Sequence, residues 1–228
     1  MSNVTTVLGK SLRLLIRQPR LFIPKLLSSL LGSIWFIGVL TGLFSLYTLV
    51  LFFVPVSIAG VLASLMVAAM VRDDVGLKNS FLSTLKMWRQ MLYTVLTFTF
   101  LGFLLSLPVS IGLLTYFTYS NIILLILLVI FALLMLFGVV FSTYFLPITL
   151  LEEKSFLKGL GQSFNASKSH SKEVGILTMF SFLLLGLTFA SNEYLELLGY
   201  AGFVAGRLLS AVVTTYVFVV SPKYYLEI

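Results

Sequence analysis

The sequence predicts an all-α polytopic membrane helix bundle. Six transmembrane helices are expected as three hairpins, each preceded by a cytoplasmic amphipathic interfacial helix. Three observations carry this. The 228 residues are 59% hydrophobic and 10% charged, against about 25% charged in soluble domains. Leu26–Val71 and Gln90–Leu151 contain no charged side chain, as bilayer spans require, because a charge at a span's centre costs about 2.5–3.5 kcal/mol on insertion scales. The Lys and Arg residues gather in Lys10–Lys25, Arg72–Arg89 and Lys154–Lys172, with Arg207 and Lys223 apart from them. Residues 1–228 therefore read as a single integral membrane domain.

The elements follow in chain order, each span needing about 20 apolar residues at about 1.5 Å rise. Val4, Val7, Leu8, Leu12, Leu15 and Ile16 form an apolar stripe, with Lys10, Arg13 and Arg17 mostly off it. A basic amphipathic helix of this kind lies in the membrane interface. Pro19 and Pro24 then bend the chain towards the bilayer. Met1–Arg20 is too polar for a cleavable signal, so the first span is expected to remain as an anchor. Leu26–Val71 crosses twice, turning near Phe44–Thr48. Leu77, Phe81, Leu85, Trp88 and Leu92 form a second stripe, with Lys78, Lys86 and Arg89 on other faces. Gln90–Leu151 crosses twice around the polar break Thr115–Asn121. Phe156, Leu157, Leu160 and Phe164 form a third stripe beside Lys154, Lys158 and Lys168. Val174–Asn192 is the fifth span, and Leu197–Pro222 the sixth.

The turns near residues 46 and 118 carry no Lys or Arg, and Ser191–Gly199 carries only Glu193 and Glu196. By the positive-inside rule both termini are cytoplasmic, in a cell membrane. The formal charge of +7 sits beside apolar spans, so anionic lipid head groups are the expected partner and nucleic acid is not. Lys10, Arg13, Arg17, Lys86 and Arg89 are the candidate head-group contacts. A protein partner is also compatible with the pattern. The chain has no Cys, so it forms neither disulfides nor thiolate metal sites.

The pattern of interfacial helix, span, span recurs in units near 1–72, 73–153 and 154–228. Each unit carries a Ser followed by a large apolar residue: Ser11-Leu12, Ser80-Phe81 and Ser163-Phe164. Pro55, Pro108 and Pro147 are each followed by an apolar residue and then a hydroxyl, and each is expected to kink its helix, with packing the favoured reason. Gly38/Gly42 and Gly202/Gly206/Ser210 recur at four-residue spacing, which suits close helix packing within the bundle.

Arg207 is the sharpest candidate for chemistry. It interrupts the last span, with Ser210, Thr214 and Ser221 at helical offsets on its face. One reading makes this face a path or a site for an anion or lipid phosphate. The other, favoured by the nearby acids, has Arg207 snorkel outward and pair with Glu193 or Glu196. Glu152 and Glu153, adjacent on a helix, point about 100° apart and make a poor acid–base pair; they are expected instead to face water or to pair with Lys154 and Lys158. His170 is the only His. No phosphate-binding loop, zinc-protease motif or nucleophile elbow is present. Neither a catalytic, a cofactor nor a metal site is expected. The functional expectation is a non-enzymatic scaffold, lipid-interacting protein or membrane partner. The alternative is a transporter or channel for a small solute, anion or lipid phosphate that uses the Arg207 face.

Two stretches carry a resemblance. Phe145-Leu146-Pro147-Ile148 leads through Glu152-Glu153-Lys154-Ser155 to Gly159-Leu160-Gly161-Gln162-Ser163, and the start runs Ser11-Leu12-Arg13-Leu14-Leu15-Ile16-Arg17-Gln18-Pro19-Arg20-Leu21-Phe22. Together they resemble the membrane domain of some bacterial glycerophosphodiester phosphodiesterases and related uncharacterised six-span prokaryotic membrane proteins. No soluble phosphodiesterase domain is present, so that family's catalytic residues have nowhere to map. The resemblance implies an architecture and a prokaryotic membrane, not an activity.

Overall fold

A computed structural model describes residues 4–153 and 155–228; Lys154, one of the third basic cluster, lies outside them. The described chain is helical almost throughout. α1 (Val4–Arg17) leads through a 3-10 turn, Pro19–Phe22, into α2 (Ile23–Leu40) and α3 (Leu46–Asp73). α4 (Leu77–Leu85) precedes the hairpin of α5 (Trp88–Tyr119) and α6 (Ile122–Ser142), which continues as α7 (Leu146–Glu153). α8 (Phe156–Ser169) precedes the hairpin of α9 (Ser171–Glu196) and α10 (Gly199–Tyr225). Among the described residues six segments are long and apolar enough to cross a membrane, the fourth being α6 and α7 together. The chain is a multi-pass membrane protein.

The packing follows one rule three times. Within each hairpin the two helices pair: α2 with α3, α5 with α6, α9 with α10. The closing helix of each hairpin then meets the opening helix of the next, α3 with α5, α6 with α9, and α10 back to α2. The short helices obey the same order, with α4 against α3, α8 against α7, and α1 against α10. α3, α7 and α10 meet one another at the centre.

The two ends of this bundle differ. At the basic end, Val7, Phe145, Ile148, Val174, Leu177, Val220 and Tyr224 form one buried cluster. Leu65, Ala68, Met91, Leu146 and Leu150 form a second, and Leu15, Leu21, Val67, Met70 and Val219 a third. The opposite end exposes Tyr116, Tyr119, Tyr194 and Tyr200 beside its turns, the amphipathic aromatics that favour a membrane–water boundary.

The buried faces of the second and third short helices are small rather than bulky, whereas the first buries Ser11 between Val7 and Leu15. Val7, Ser11 and Leu15 of α1 are buried, as are Ser80 and Thr84 of α4 and Gly159, Ser163 and Ser167 of α8. In each case the large residue after the Ser, Leu12, Phe81 or Phe164, is exposed. The predicted stripes therefore split: Val7 and Leu15 face the bundle, Leu12, Phe81 and Phe164 face outward, and the buried Ser, Thr and Gly positions admit close approach to a span.

Several expectations change. The break predicted at Thr115–Asn121 shrinks to Ser120 and Asn121, because α5 runs to Tyr119. Ser120 takes the left-handed conformation (φ 53°), and the Asn121 side chain accepts from Leu124 N at 3.1 Å. Backbone at membrane depth must satisfy itself, so the Thr and Tyr residues stay helical despite their polarity. The second predicted stripe divides at Lys86 and Met87, which places Trp88 and Leu92 on α5. Gly42 lies beyond α2 with φ +73°, so Gly38 and Gly42 form no helix-packing pair; the Phe44 ring folds onto Gly38, where a Cβ would lie 2.3 Å away. Gly202 and Gly206 do serve packing: added Cβ atoms would sit 1.7 Å from Leu195 O and 2.8 Å from the Asn192 amide. α3 and α5 continue unbroken through Pro55 and Pro108. Among the described residues only the fourth span is interrupted, at Thr143–Phe145 before Pro147.

Candidate functional site

The interruption of the fourth span frees backbone groups inside the bundle, and hydroxyls from other helices take them up. Ser163 of α8 donates to Ser142 O (3.0 Å) and accepts from Phe145 N (3.2 Å). Ser221 of α10 donates to Tyr144 O. Thr149 of α7 donates to Gly159 O (2.8 Å), and α8 can come this close because Gly159 lies against the Leu150 backbone. Buried groups of this kind cost about 1–3 kcal/mol each when left unpaired, so the break is built in.

Beside it lies a cavity of about 820 Å³, walled by α3, α5, the α6–α7 break, α9 and α10. Most of the wall is apolar: Phe53, Phe98, Phe103, Phe182 and Leu185 contribute to it. Phe53 of α3 and Phe103 of α5, both in the wall, are also 50% and 61% exposed, and the cavity is only about half enclosed. The size falls within the roughly 300–1,000 Å³ of small-molecule sites.

One cation enters this cavity. Lys25 sits in the first turn of α2. α2 and α3 run antiparallel, with Gly60 opposite Ser28 and Gly32 opposite Val56, so Gly60 lies about one turn deeper in the bundle than Lys25. Lys25 Nζ donates to Gly60 O (3.2 Å) and Ser64 Oγ (2.8 Å) and lies 4.1 Å from the Phe218 ring centre. The side chain thus turns inward, the reverse of snorkelling. None of the ion pairs among the described residues includes it.

The cavity hydroxyls divide into two sets. Ser64, Thr94, Ser106, Thr143 and Ser181 donate to carbonyls of their own helices, at 2.7 to 2.9 Å. Ser57, Thr99 and Thr214 line the cavity without a hydrogen bond of their own. Tyr144, in the break and 7% exposed, has a hydroxyl that lies near Ser181 yet reaches no partner at hydrogen-bonding geometry. Unused O–H donors and one ammonium therefore converge in an apolar chamber.

The predicted Arg207 face is dispersed. Arg207 is exposed, with its guanidinium 5.0 Å from the Phe203 ring centre, and it forms no ion pair with Glu193 or Glu196. Its backbone carbonyl accepts from Ser29 Oγ at 3.0 Å, which ties α10 to α2. Ser210 lies 2.8 Å from the Asn192 amide and belongs to the α9–α10 contact. Of this face, Thr214 and Ser221 reach the cavity. Of the predicted head-group contacts, Arg13, Arg17 and Lys86 are exposed, Arg89 stacks on Trp88 at 5.4 Å, and Lys10 pairs with Glu227 at 3.1 Å. Glu152 accepts from Gln162 (3.2 Å) and Tyr225 (2.9 Å), and no ion pair to Lys158 forms.

Sequence reasoning missed Lys25 and Tyr144, and it gave Ser163 and Ser221 other places, Ser163 as a mark of the repeat and Ser221 on the Arg207 face. Lys25 closes a basic cluster and so reads as one more flanking charge. Its one distinguishing signal is its position after Pro24, already inside the span. No family model, curated protein or solved structure matches the chain.

Proposed function

We propose that the protein is a non-enzymatic, lipid-interacting membrane protein that takes an amphiphilic molecule from the bilayer into the cavity beside α5. The basic end faces the cytoplasm in this reading, with Arg13, Arg17, Lys86 and Arg89 against anionic head groups. The observation that carries the proposal is the 820 Å³ cavity with apolar walls, polar groups at a few points and an opening past Phe53 and Phe103. A lipid-side opening suits a ligand that partitions into lipid before it binds.

Mild-detergent purification followed by mass spectrometry of bound lipid tests this. About one amphiphile per chain is expected, displaced when Ser57→Phe and Thr99→Phe together fill the chamber. Equal lipid recovery from the wild type and the filled variant overturns the proposal.

A carrier that moves such a molecule between leaflets is the second reading. The broken fourth span beside the cavity favours it, since interrupted helices build the sites of many transporters. Leaflet exchange of a fluorescent amphiphile in proteoliposomes, faster than in protein-free vesicles and lost in the filled variant, distinguishes a carrier from a static binder.

A further inference from the structure

The cavity reading leaves the ligand's chemistry open, and Lys25 narrows it. We infer that the cavity selects a single-chain amphiphile with an anionic carboxylate or phosphate head, held by the Lys25 ammonium. This rests on the cavity reading above and specifies its ligand.

An ammonium has three N–H donors and a full charge, and burial of a cation away from water is unfavourable unless it is paired. Lys25 has two neutral oxygen acceptors, Gly60 O and Ser64 Oγ, and an aromatic face at 4.1 Å. No carboxylate among the described residues pairs with it, although the chain has eight Asp and Glu residues. Of those at the basic end, Asp73 pairs with Arg72, Asp74 with Arg20 and Glu227 with Lys10, Glu152 accepts from Gln162 and Tyr225, Glu153 is exposed, and Glu173, half-buried on α9, is in no ion pair among the described residues. The bundle therefore holds a positive charge at its cavity and supplies no counter-charge.

The surroundings match an anionic head rather than a neutral one. Thr214 lies one helical turn from Phe218, the ring beneath the ammonium, and Ser57 lies two turns from Ser64 on the same face of α3. Both hydroxyls have unused protons, and the buried Tyr144 hydroxyl adds a further donor at the break. An oxyanion has several lone pairs and can accept from the ammonium together with a hydroxyl within its reach. The remaining wall, from Phe98 to Phe103 and across to Phe182 and Leu185, offers only apolar surface to the rest of the ligand. An acyl chain fits that wall, whereas a free anion leaves it without a partner.

The test uses the purified full chain in neutral detergent. Binding of lauric acid, lysophosphatidic acid, monolaurin and sodium phosphate is measured for the wild type, Lys25→Gln and Lys25→Arg. The two anionic amphiphiles are expected to bind at least tenfold more tightly than monolaurin. Lys25→Gln is expected to abolish that preference while changing monolaurin affinity less than threefold, and Lys25→Arg to keep part of it. Thermal stability without ligand is read in parallel, because a merely structural Lys25 lowers it in Lys25→Gln without changing selectivity. Equal binding of charged and neutral amphiphiles overturns the inference and leaves the cavity reading intact. Absence of any amphiphile binding overturns both. Saturable phosphate binding that is lost in Lys25→Gln, with no gain from an attached chain, assigns the site to a free anion and overturns the amphiphile.

Discussion

Lys25 and Arg207 are both cations within membrane-spanning helices, and the structure uses them in opposite ways. Lys25 begins near the basic end and turns inward to Gly60 and Ser64. Arg207 interrupts the last span and stays outside, over Phe203. The lesson is that a charge's position along a span does not fix its role. A long side chain reaches several ångströms either way, and neighbouring helices decide the direction. Around Lys25 those neighbours leave a chamber. Around Arg207, α9 and α10 close tightly through Gly202 and Gly206.

The largest expected effect breaks the Arg207 side of this comparison without touching its charge. Gly202→Ala places a methyl against Leu195 O, and backbone cannot yield as a side-chain tip can. Destabilisation of about 3 kcal/mol or more is expected by analogy with severe overpacking, read as loss of folded protein in an SDS-unfolding titration. Near-normal stability would show that the α9–α10 turn is looser than described.

Next is the break that borders the Lys25 chamber. Ser163→Val leaves Ser142 O and Phe145 N without partners, so a loss on the order of 2 kcal/mol is expected in the same titration. Ser83→Val, on α4, is the control: Ser83 donates only to Ser80 O of its own helix, and a change under about 0.5 kcal/mol is expected. Equal effects at the two positions contradict the stitching role of Ser163.

Lys25→Gln comes third, with a tenfold or larger loss of anionic amphiphile binding, about 1.4 kcal/mol. The smallest effect is that of Arg207→Gln. With no ion pair to lose, it is expected to change both stability by less than about 0.5 kcal/mol and anionic amphiphile affinity by less than twofold. An effect of Arg207→Gln as large as that of Lys25→Gln erases the distinction between the two cations.

Much of this architecture was legible in the chain. Charge-free stretches located the spans because lipid excludes charge, and the three basic segments located the short helices. The internal breaks were less legible. Thr115–Tyr119 looks like a loop by polarity, yet hydroxyls such as Thr115 and Thr118 donate to their own helix at 2.9 and 2.8 Å and let it continue. Pro55, Pro108 and Pro147 look alike in sequence, but only Pro147 has Ser163 and Ser221 beside it to receive the freed backbone groups. Those partners come from distant segments, which local pattern cannot supply. The candidate site was the least legible part. Arg207 drew attention because it is isolated, while Lys25 was concealed by its neighbours Arg17 and Arg20 and by a direction that only packing determines. Thr214 and Ser221, read as part of the Arg207 face, also line the cavity.

The most direct test of the central claim is photocrosslinking in proteoliposomes with a fatty acid that carries a diazirine near its carboxylate. Adducts are expected on the peptides that contain Ser57–Ser64 and Thr214–Ser221, and Lys25→Gln should remove most of them while Arg207→Gln leaves them unchanged. Adducts confined to the exposed outer faces of α5 and α6, and indifferent to Lys25, would contradict the account.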